Sequence, residues 1–415
     1  MTNQQSKLTG RPMVVFGEDW GGHPSSTQHI VEVLKEQRDI IWINSIGLRQ
    51  PKFSLRDFKR LLTKVSDFFS KRTTATAKEA NEVNSHIVGH AELSHQFTVI
   101  SPLVIPCATN PLLVWVNRCL LKLQLFSALK RIEKKSPIVW TSLPTAVDYL
   151  TLFKSSANVY YCGDDFDALA GVDHEVVGDK EKKLVGQVKY IFTASEQLKH
   201  KFPLMKTVVI PHGVDTKLFS TTKAQWPEDL PKGKPIAGFY GSISTWLDQE
   251  IVSNTASILT DWNFVFIGHV ECDISLLQQH KNIYFLTAKP HAFLPQYLAH
   301  WQVAMLPFKD NEQIRKCNPL KLREYLASGT PVVATDFNAL EQYRDLIHVA
   351  SPNKPFHTAL LMANAELAKL TAFKTVEVQA TILPMLAQKQ ARMDSVKSAS
   401  WDQRANEVES YLLQC

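Results

Sequence analysis

The residues best spaced for chemistry lie between Arg315 and Asp336, RKCNPLKLREYLASGTPVVATD. Asn318 suits an N-cap and Pro319 a first helical turn, so a helix is expected from there to Ser328. Gly329 stops it, and Pro331 leads into a buried strand. Lys321 falls in the first turn, with Glu324 three residues on along the same face. Arg315 and Lys316 lie just upstream. A helix N-terminus beside Lys321 and one or two further cations makes an anion site suited to a diphosphate. Glu324, one turn deeper, can accept hydrogen bonds from ribose hydroxyls. The same spacing also fits a solvated amphipathic helix with an ordinary Lys/Glu pair.

A second candidate is acidic. Asp164 and Asp165 end the apolar run VYYCGDD. Adjacent carboxylates at the carboxyl end of a buried strand can have one pKa raised by burial and like charge, which suits a general base. Consecutive side chains diverge, so one of the pair faces a substrate; Asp165 is slightly preferred. The pair also reads as a helix cap. An early Gly-rich loop carries Asp19, Gly21, Gly22 and His23, with His23 a rival base or an orienting group. Gly241 and Ser242 open a further loop, GSIS, whose backbone amides and hydroxyls suit phosphate oxygens. His269 and Lys289 follow later strands.

These residues need strand ends to hold them. MVVF (13–16), DIIWIN (39–44), IVW (138–140), VYYC (159–162), YIF (190–192) and VVI (208–210) are short apolar runs separated by helical patterns. A second series follows: IAGFY (236–240), FVFI (264–267), IYFL (283–286), VAML (303–306) and VVA (332–334). Strand–helix alternation of this kind argues for two doubly wound parallel sheets. The expected organisation is an α/β chain of two Rossmann-like domains, 1–215 and 236–395. A Pro-rich linker at 216–235 joins them, and a terminal helix at 396–415 returns to the first domain. The cleft between two such domains is the default ligand site.

Composition narrows the class. The 415 residues are 45% hydrophobic and 21% charged, which fits a folded chain of two or three domains and excludes a mainly disordered one. A net charge of +6 is too small for a dedicated nucleic-acid binder and fits an anionic small ligand or membrane surface. Six scattered cysteines without a CxxC pair read as reduced thiols, and the polar N-terminus has no apolar signal region, so a cytoplasmic location is expected. Polar residues and prolines break the apolar stretch from Ile100 to Phe126, so no spanning helix is expected. Between Lys52 and Arg72, seven Lys/Arg oppose two Asp/Glu, while Phe58, Leu61, Leu62, Val65, Phe68 and Phe69 recur at helical spacing. That is a basic amphipathic helix, and residues 112–135 repeat the pattern. Such helices either lie on an anionic membrane or pack on the domain core.

The run PLKLREYLASGTPVVATD resembles the signature helix and strand in the C-terminal domain of GT-B glycosyltransferases. The likeness is closest to bacterial enzymes that build teichuronic-acid-like or xanthan-like exopolysaccharides. EDWGGHPSSTQH, YYCGDDF, IFTASEQL, VIPHGVDTKLF, GFYGSISTWLD, LPQYLAHWQVAMLPF and SWDQRANEV extend it over nearly the whole chain. The resemblance implies a nucleotide-sugar donor held by the C-terminal domain and a glycan or lipid-linked saccharide acceptor held by the N-terminal domain at the inner face of the cell membrane. It places Gly241, Ser242, His269, Lys289, Arg315, Lys316, Asn318, Lys321 and Glu324 on the donor. Asp165 or Asp164, or else His23, acts as base, and Asp19, Gly21 and Gly22 form the acceptor-side loop. It implies no metal and no cofactor; a UDP-sugar is the expected substrate.

One departure matters. Large retaining relatives carry two glutamates eight positions apart, and here the first position is Lys316. A cation in place of a carboxylate favours inverting relatives that set Lys321 on the phosphate. A nucleotide-sugar epimerase and a non-catalytic scaffold on the same fold remain alternatives.

Overall fold

The apolar runs become strands, and every one pairs in parallel. In the computed structural model the described residues are 10–22, 25–46, 97–105, 110–132, 135–169, 172–220, 225–371 and 379–415. The basic stretch at 52–72 and His23 lie outside them. The chain divides into two units, Met1–Ile210 with Ala405–Cys415, and Pro211–Arg404.

The first unit holds β1 (Met13–Phe16), β2 (Ile40–Ile43), β3 (Phe97–Ile100), β4 (Ile138–Thr141), β5 (Ala157–Cys162), β6 (Tyr190–Thr193) and β7 (Thr207–Val209), in the order β3-β2-β1-β4-β5-β6-β7. The second holds β8 (Ile236–Tyr240), β9 (Asn263–Ile267), β10 (Ile283–Leu286), β11 (Val303–Leu306), β12 (Val332–Ala334) and β13 (His348–Val349), in the order β10-β9-β8-β11-β12-β13. Both are doubly wound: the order runs outward one way from the first strand, then reverses. Central strands are buried on both faces, as parallel sheets covered by helices require, and each unit closes on its own apolar core.

Residues 216–235, expected as a linker, belong to the second unit. Phe219 and Leu230 are buried in its core, and Asp229 takes Lys289 at 2.6 Å.

The expected terminal helix runs Trp401–Leu412. Its end belongs to the first unit through Arg38, a fully buried guanidinium at 2.6 and 2.8 Å from the two Glu409 carboxylate oxygens. Arg38 also donates to the Arg11 carbonyl at 2.7 Å, and Tyr411 packs edge-on against Tyr190 and Phe192.

The helix Pro111–Ile132 departs from expectation: by length and composition it is apolar enough to cross a membrane. Its polar residues nevertheless tie one face to the first unit. Asn117 and Gln124 each bond both backbone groups of Ile105 and Leu103, and Arg118 donates to the Asp148 carbonyl. The other face leaves Leu112, Trp115, Leu123 and Phe126 each at least 60% exposed.

Removing one partner of a buried ion pair strands the other's charge. Glu409→Ala is therefore expected to cost about 3 kcal/mol of stability by denaturant unfolding, against under about 1 kcal/mol for Glu312→Ala in an exposed pair.

Candidate functional site

In the second unit the strand order reverses between β8 and β11, and sheets of this kind bind ligands at the carboxyl ends of the strands beside that reversal. Gly241 follows β8, and Phe308 lies two residues beyond β11. Lys321 reaches them from the helix Leu320–Ser328. Its ammonium lies 4.6, 5.0 and 5.7 Å from the ring centres of Phe239, Trp246 and Phe308, within cation–π range. Among the described residues it has no carboxylate at ion-pair distance. Removal from water pushes its pKa down to about 8, against the opposing pull of Glu324 and Cys317.

The helix start adds to this positive potential. Its first turn holds no acidic residue, and the capping position is Pro319, which offers no side-chain acceptor. The Leu322 amide donates to the Pro319 carbonyl at 3.2 Å, which leaves those of Leu320 and Lys321 for an anion. Asn318 does not cap, contrary to expectation. Its Oδ1 takes the Arg323 guanidinium at 2.7 Å instead, because Pro319 occupies the position from which a side chain reaches the open amides.

The donor-side candidates separate in kind. Gly241 sits at φ 127°, and a Cβ there would fall 2.6 Å from Lys321 Nζ, so only glycine lets the ammonium approach. A Cβ on Gly268 would fall 2.0 Å from the Gly241 carbonyl oxygen, so the loops after β8 and β9 also depend on a bare backbone. Within that loop the Gly241 and Ile243 amides donate to Ile267 and His269, which leaves those of Ser242 and Ser244 for a ligand. Ser242 Oγ contacts Glu271 at 3.3 Å.

The remaining cations are engaged or distant. Arg315 and Lys316 end a short helix, Glu312–Lys316, that the sequence pattern did not reveal. Arg315 pairs with Asp310 at 2.7 Å and Lys316 with Glu312 at 2.7 Å. Lys289 is held between Asp229 and the Tyr297 ring, and His269 is exposed. Among the described lysines and arginines of this group, Lys321 alone lacks a carboxylate partner.

Glu324 is buried one turn below Lys321. Its Oε2 accepts from Tyr240 Oη at 2.6 Å, and its Oε1 lies 2.6 Å from His291 Nε2. Burial works against a charged His291, but the hydrogen bond and charge of Glu324, followed by Asp215, raise its pKa. Sequence spacing missed His291, Tyr240 and the three rings. They stand on separate strands and loops, and periodicity within one element cannot join them.

In the first unit the two aspartates diverge as expected, and their surroundings differ. Asp165 is buried against Lys201 at 2.8 Å, and Lys201 also holds Asp167 and Glu181 at 2.9 and 2.7 Å. Burial disfavours the Lys201 charge, yet these three bonds hold its pKa above the ordinary lysine value. Asp165 is thus held on Lys201. Asp164 retains solvent access, while desolvation by the surrounding protein, then Glu18 and Asp165, push its pKa up to about 6. Glu18 follows β1 and accepts from Ser25 Oγ at 2.8 Å. Asp19 braces its own loop: its carboxylate takes the Ser45 amide at 3.1 Å, and its carbonyl takes the Gly22 amide at 3.0 Å. Gly21 makes that turn at φ 78°.

Residues 234–368 match the family model described as "Glycosyl transferases group 1". Over 219 residues the chain is 25% identical to a Bacillus subtilis protein named "Putative teichuronic acid biosynthesis glycosyltransferase TuaH". That match covers 48% of this chain and 55% of the relative, so the chain spans about half the length of the curated relative it matches. Among solved structures, Anabaena HepE in complex with UDP-glucose superposes with a TM-score of 0.61 at 12% identity, over 97% of this chain and 100% of that one. Sucrose-phosphate synthase from Thermosynechococcus elongatus gives 0.62 at 14% identity, over 97% and 98%. The chain has the GT-B fold, and its residues 234–368 are similar to the group 1 glycosyltransferases.

The matched segment contains Gly241, His291, Lys321 and Glu324, whereas Asp164 lies outside it. An ammonium with a pKa near 8 is charged below that value and neutral above it. Inorganic pyrophosphate affinity is accordingly expected to weaken at least about tenfold as pH rises through about 8. Lys321→Met should bind weakly at every pH, and Gly241→Ala should weaken binding by displacing the ammonium. Calorimetric titration reads all three.

Proposed function

We propose that this protein transfers a sugar from a nucleoside-diphosphate sugar, a UDP-sugar first among the candidates, to a glycan or lipid-linked saccharide in cell-surface polysaccharide synthesis. The observation that carries the proposal is Lys321: a largely buried ammonium without a carboxylate, at the open start of a helix, beside the sheet's point of reversal. That arrangement fits a diphosphate, whose negative charge grows as the glycosyl bond breaks. Support for the chemistry comes from the match of residues 234–368 to the group 1 glycosyltransferase model, and support for the polymer class from the name of the Bacillus relative.

In the proposed reaction, Asp164 takes the proton of the acceptor hydroxyl as its oxygen attacks the anomeric carbon. The bond to the diphosphate breaks on the opposite side, which inverts the configuration. Lys321 and the helix amides stabilise the departing charge, so leaving-group stabilisation is assigned to the protein rather than to a metal. The acceptor's lipid would hold the first unit to an anionic membrane at the cytoplasmic face. The exposed row Leu112, Trp115, Leu123 and Phe126, flanked by exposed Lys122 and Lys130, supports that placement.

Three outcomes follow. One of UDP, GDP, ADP and dTDP should raise the melting temperature of wild type and not of Lys321→Ala, because only binding to the folded state stabilises it; a flat panel on folded wild type contradicts the proposal. Asp164→Asn should lower acceptor-dependent nucleotide release at least about a hundredfold with nucleotide affinity retained, and the wild-type kcat/KM should fall below about pH 6, where the base becomes protonated. Trp115→Ser with Phe126→Ser should reduce sedimentation with phosphatidylglycerol vesicles at unchanged melting temperature.

A further inference from the structure

His291 is a group that neither the fold nor the diphosphate site requires. It begins the short turn His291–Phe293 after β10 and lies against two other segments. Its ring meets Phe219 edge-on at 5.3 Å, and its Nε2 lies 2.6 Å from Glu324 Oε1. Phe219 ends the small helix Thr216–Phe219, whose cap is Asp215. The segment HGVDTKLF (212–219) therefore supports the imidazole from one side, while Glu324 takes it from the other.

The second Glu324 oxygen is held as firmly. Tyr240 Oη donates to Oε2 at 2.6 Å, and the Tyr240 amide itself donates to Tyr325 Oη at 3.2 Å. Tyr240 is buried, so its hydroxyl has little freedom to turn away. A carboxylate gripped at both oxygens cannot rotate, and its remaining lone pairs point in fixed directions. Glu324 is one turn from Lys321, so those directions are fixed relative to the diphosphate site.

We propose that His291, in its protonated form, is a positioning residue that with Tyr240 locks the Glu324 carboxylate to receive the ribose hydroxyls of the donor nucleotide. This rests on the nucleotide-sugar proposal above. The charged groups facing His291 are Glu324 from the helix Leu320–Ser328 and Asp215 from the cap of Thr216–Phe219; both favour its charge. When His291 loses its proton, the charge-assisted bond becomes an ordinary one and Glu324 is held less firmly. Nucleoside recognition should weaken as pH rises through the elevated His291 pKa, while contacts to the diphosphate alone should not.

The test compares wild type, His291→Gln and His291→Leu for binding UDP, GDP, ADP and inorganic pyrophosphate between about pH 6 and about pH 9. Glutamine keeps a donor without the charge, and leucine removes both. Taking the ratio of wild-type to variant affinity at each pH cancels the titration of Lys321 and of the ligand. For the nucleotide that binds, the ratio of wild type to His291→Gln should be about tenfold at low pH and approach one at high pH. His291→Leu should be weaker than both throughout. Pyrophosphate affinity should be equal in all three proteins, which also shows that the variants fold. A nucleotide ratio that stays constant with pH, or variants that lose pyrophosphate and nucleotide alike, would overturn the positioning role. A wild type that binds pyrophosphate but none of the nucleotides would overturn the donor assignment itself, and this role with it.

Discussion

A largely buried ammonium needs compensation, and in most folded chains a carboxylate supplies it. Lys321 has aromatic faces instead, and its lowered pKa records the incomplete compensation. Much of the second unit follows from keeping that ammonium in place without neutralising it. Gly241 must lack a side chain to admit it, and Gly268 must lack one to admit Gly241. Glu324, the carboxylate on the same helix face, is turned to Tyr240 and His291. The helix start is left without an acidic cap. Each feature maintains a positive site that an anionic ligand can complete.

The first unit treats negative charge by the same logic. Two adjacent aspartates at the end of β5 receive opposite environments. Lys201 anchors Asp165 in a network with Glu181 and Asp167, and Tyr160 Oη reaches Glu181 at 2.6 Å. Asp164 faces like charge and desolvation, which raise its proton affinity. A pair that looks equivalent in the chain thus receives two different surroundings, because alternate side chains at a strand end point apart.

Much of this architecture is legible without coordinates. Buried parallel strands are continuous apolar runs, so MVVF, VYYC and IAGFY announce themselves, as does the Gly329 stop. β3 and β13 do not: β3 is only partly buried at the sheet edge, and β13 has two residues. Lys321 and Glu324 are legible because one helix presents both. His291, Tyr240, Trp246 and Glu18 are not, since their partners lie far off in sequence and only the fold joins them. Asn318 illustrates a local rule overruled: its residue type suits a cap, but Pro319 takes the position and Arg323 takes its side chain. Lys201, which sets the surroundings of Asp165 apart from those of Asp164, lies thirty-six residues beyond Asp165.

Lys321 carries a charge that no carboxylate compensates, and the proposed nucleoside diphosphate would complete it. Its side-chain nitrogen can be followed directly by NMR titration of the full chain with labelled lysine, alone and with UDP, GDP or ADP. A titration near 8 is expected in the free protein, with a rise above about 10 when the nucleotide that binds is present. A free-protein value near the ordinary 10.5, or one that no nucleotide moves, would contradict it.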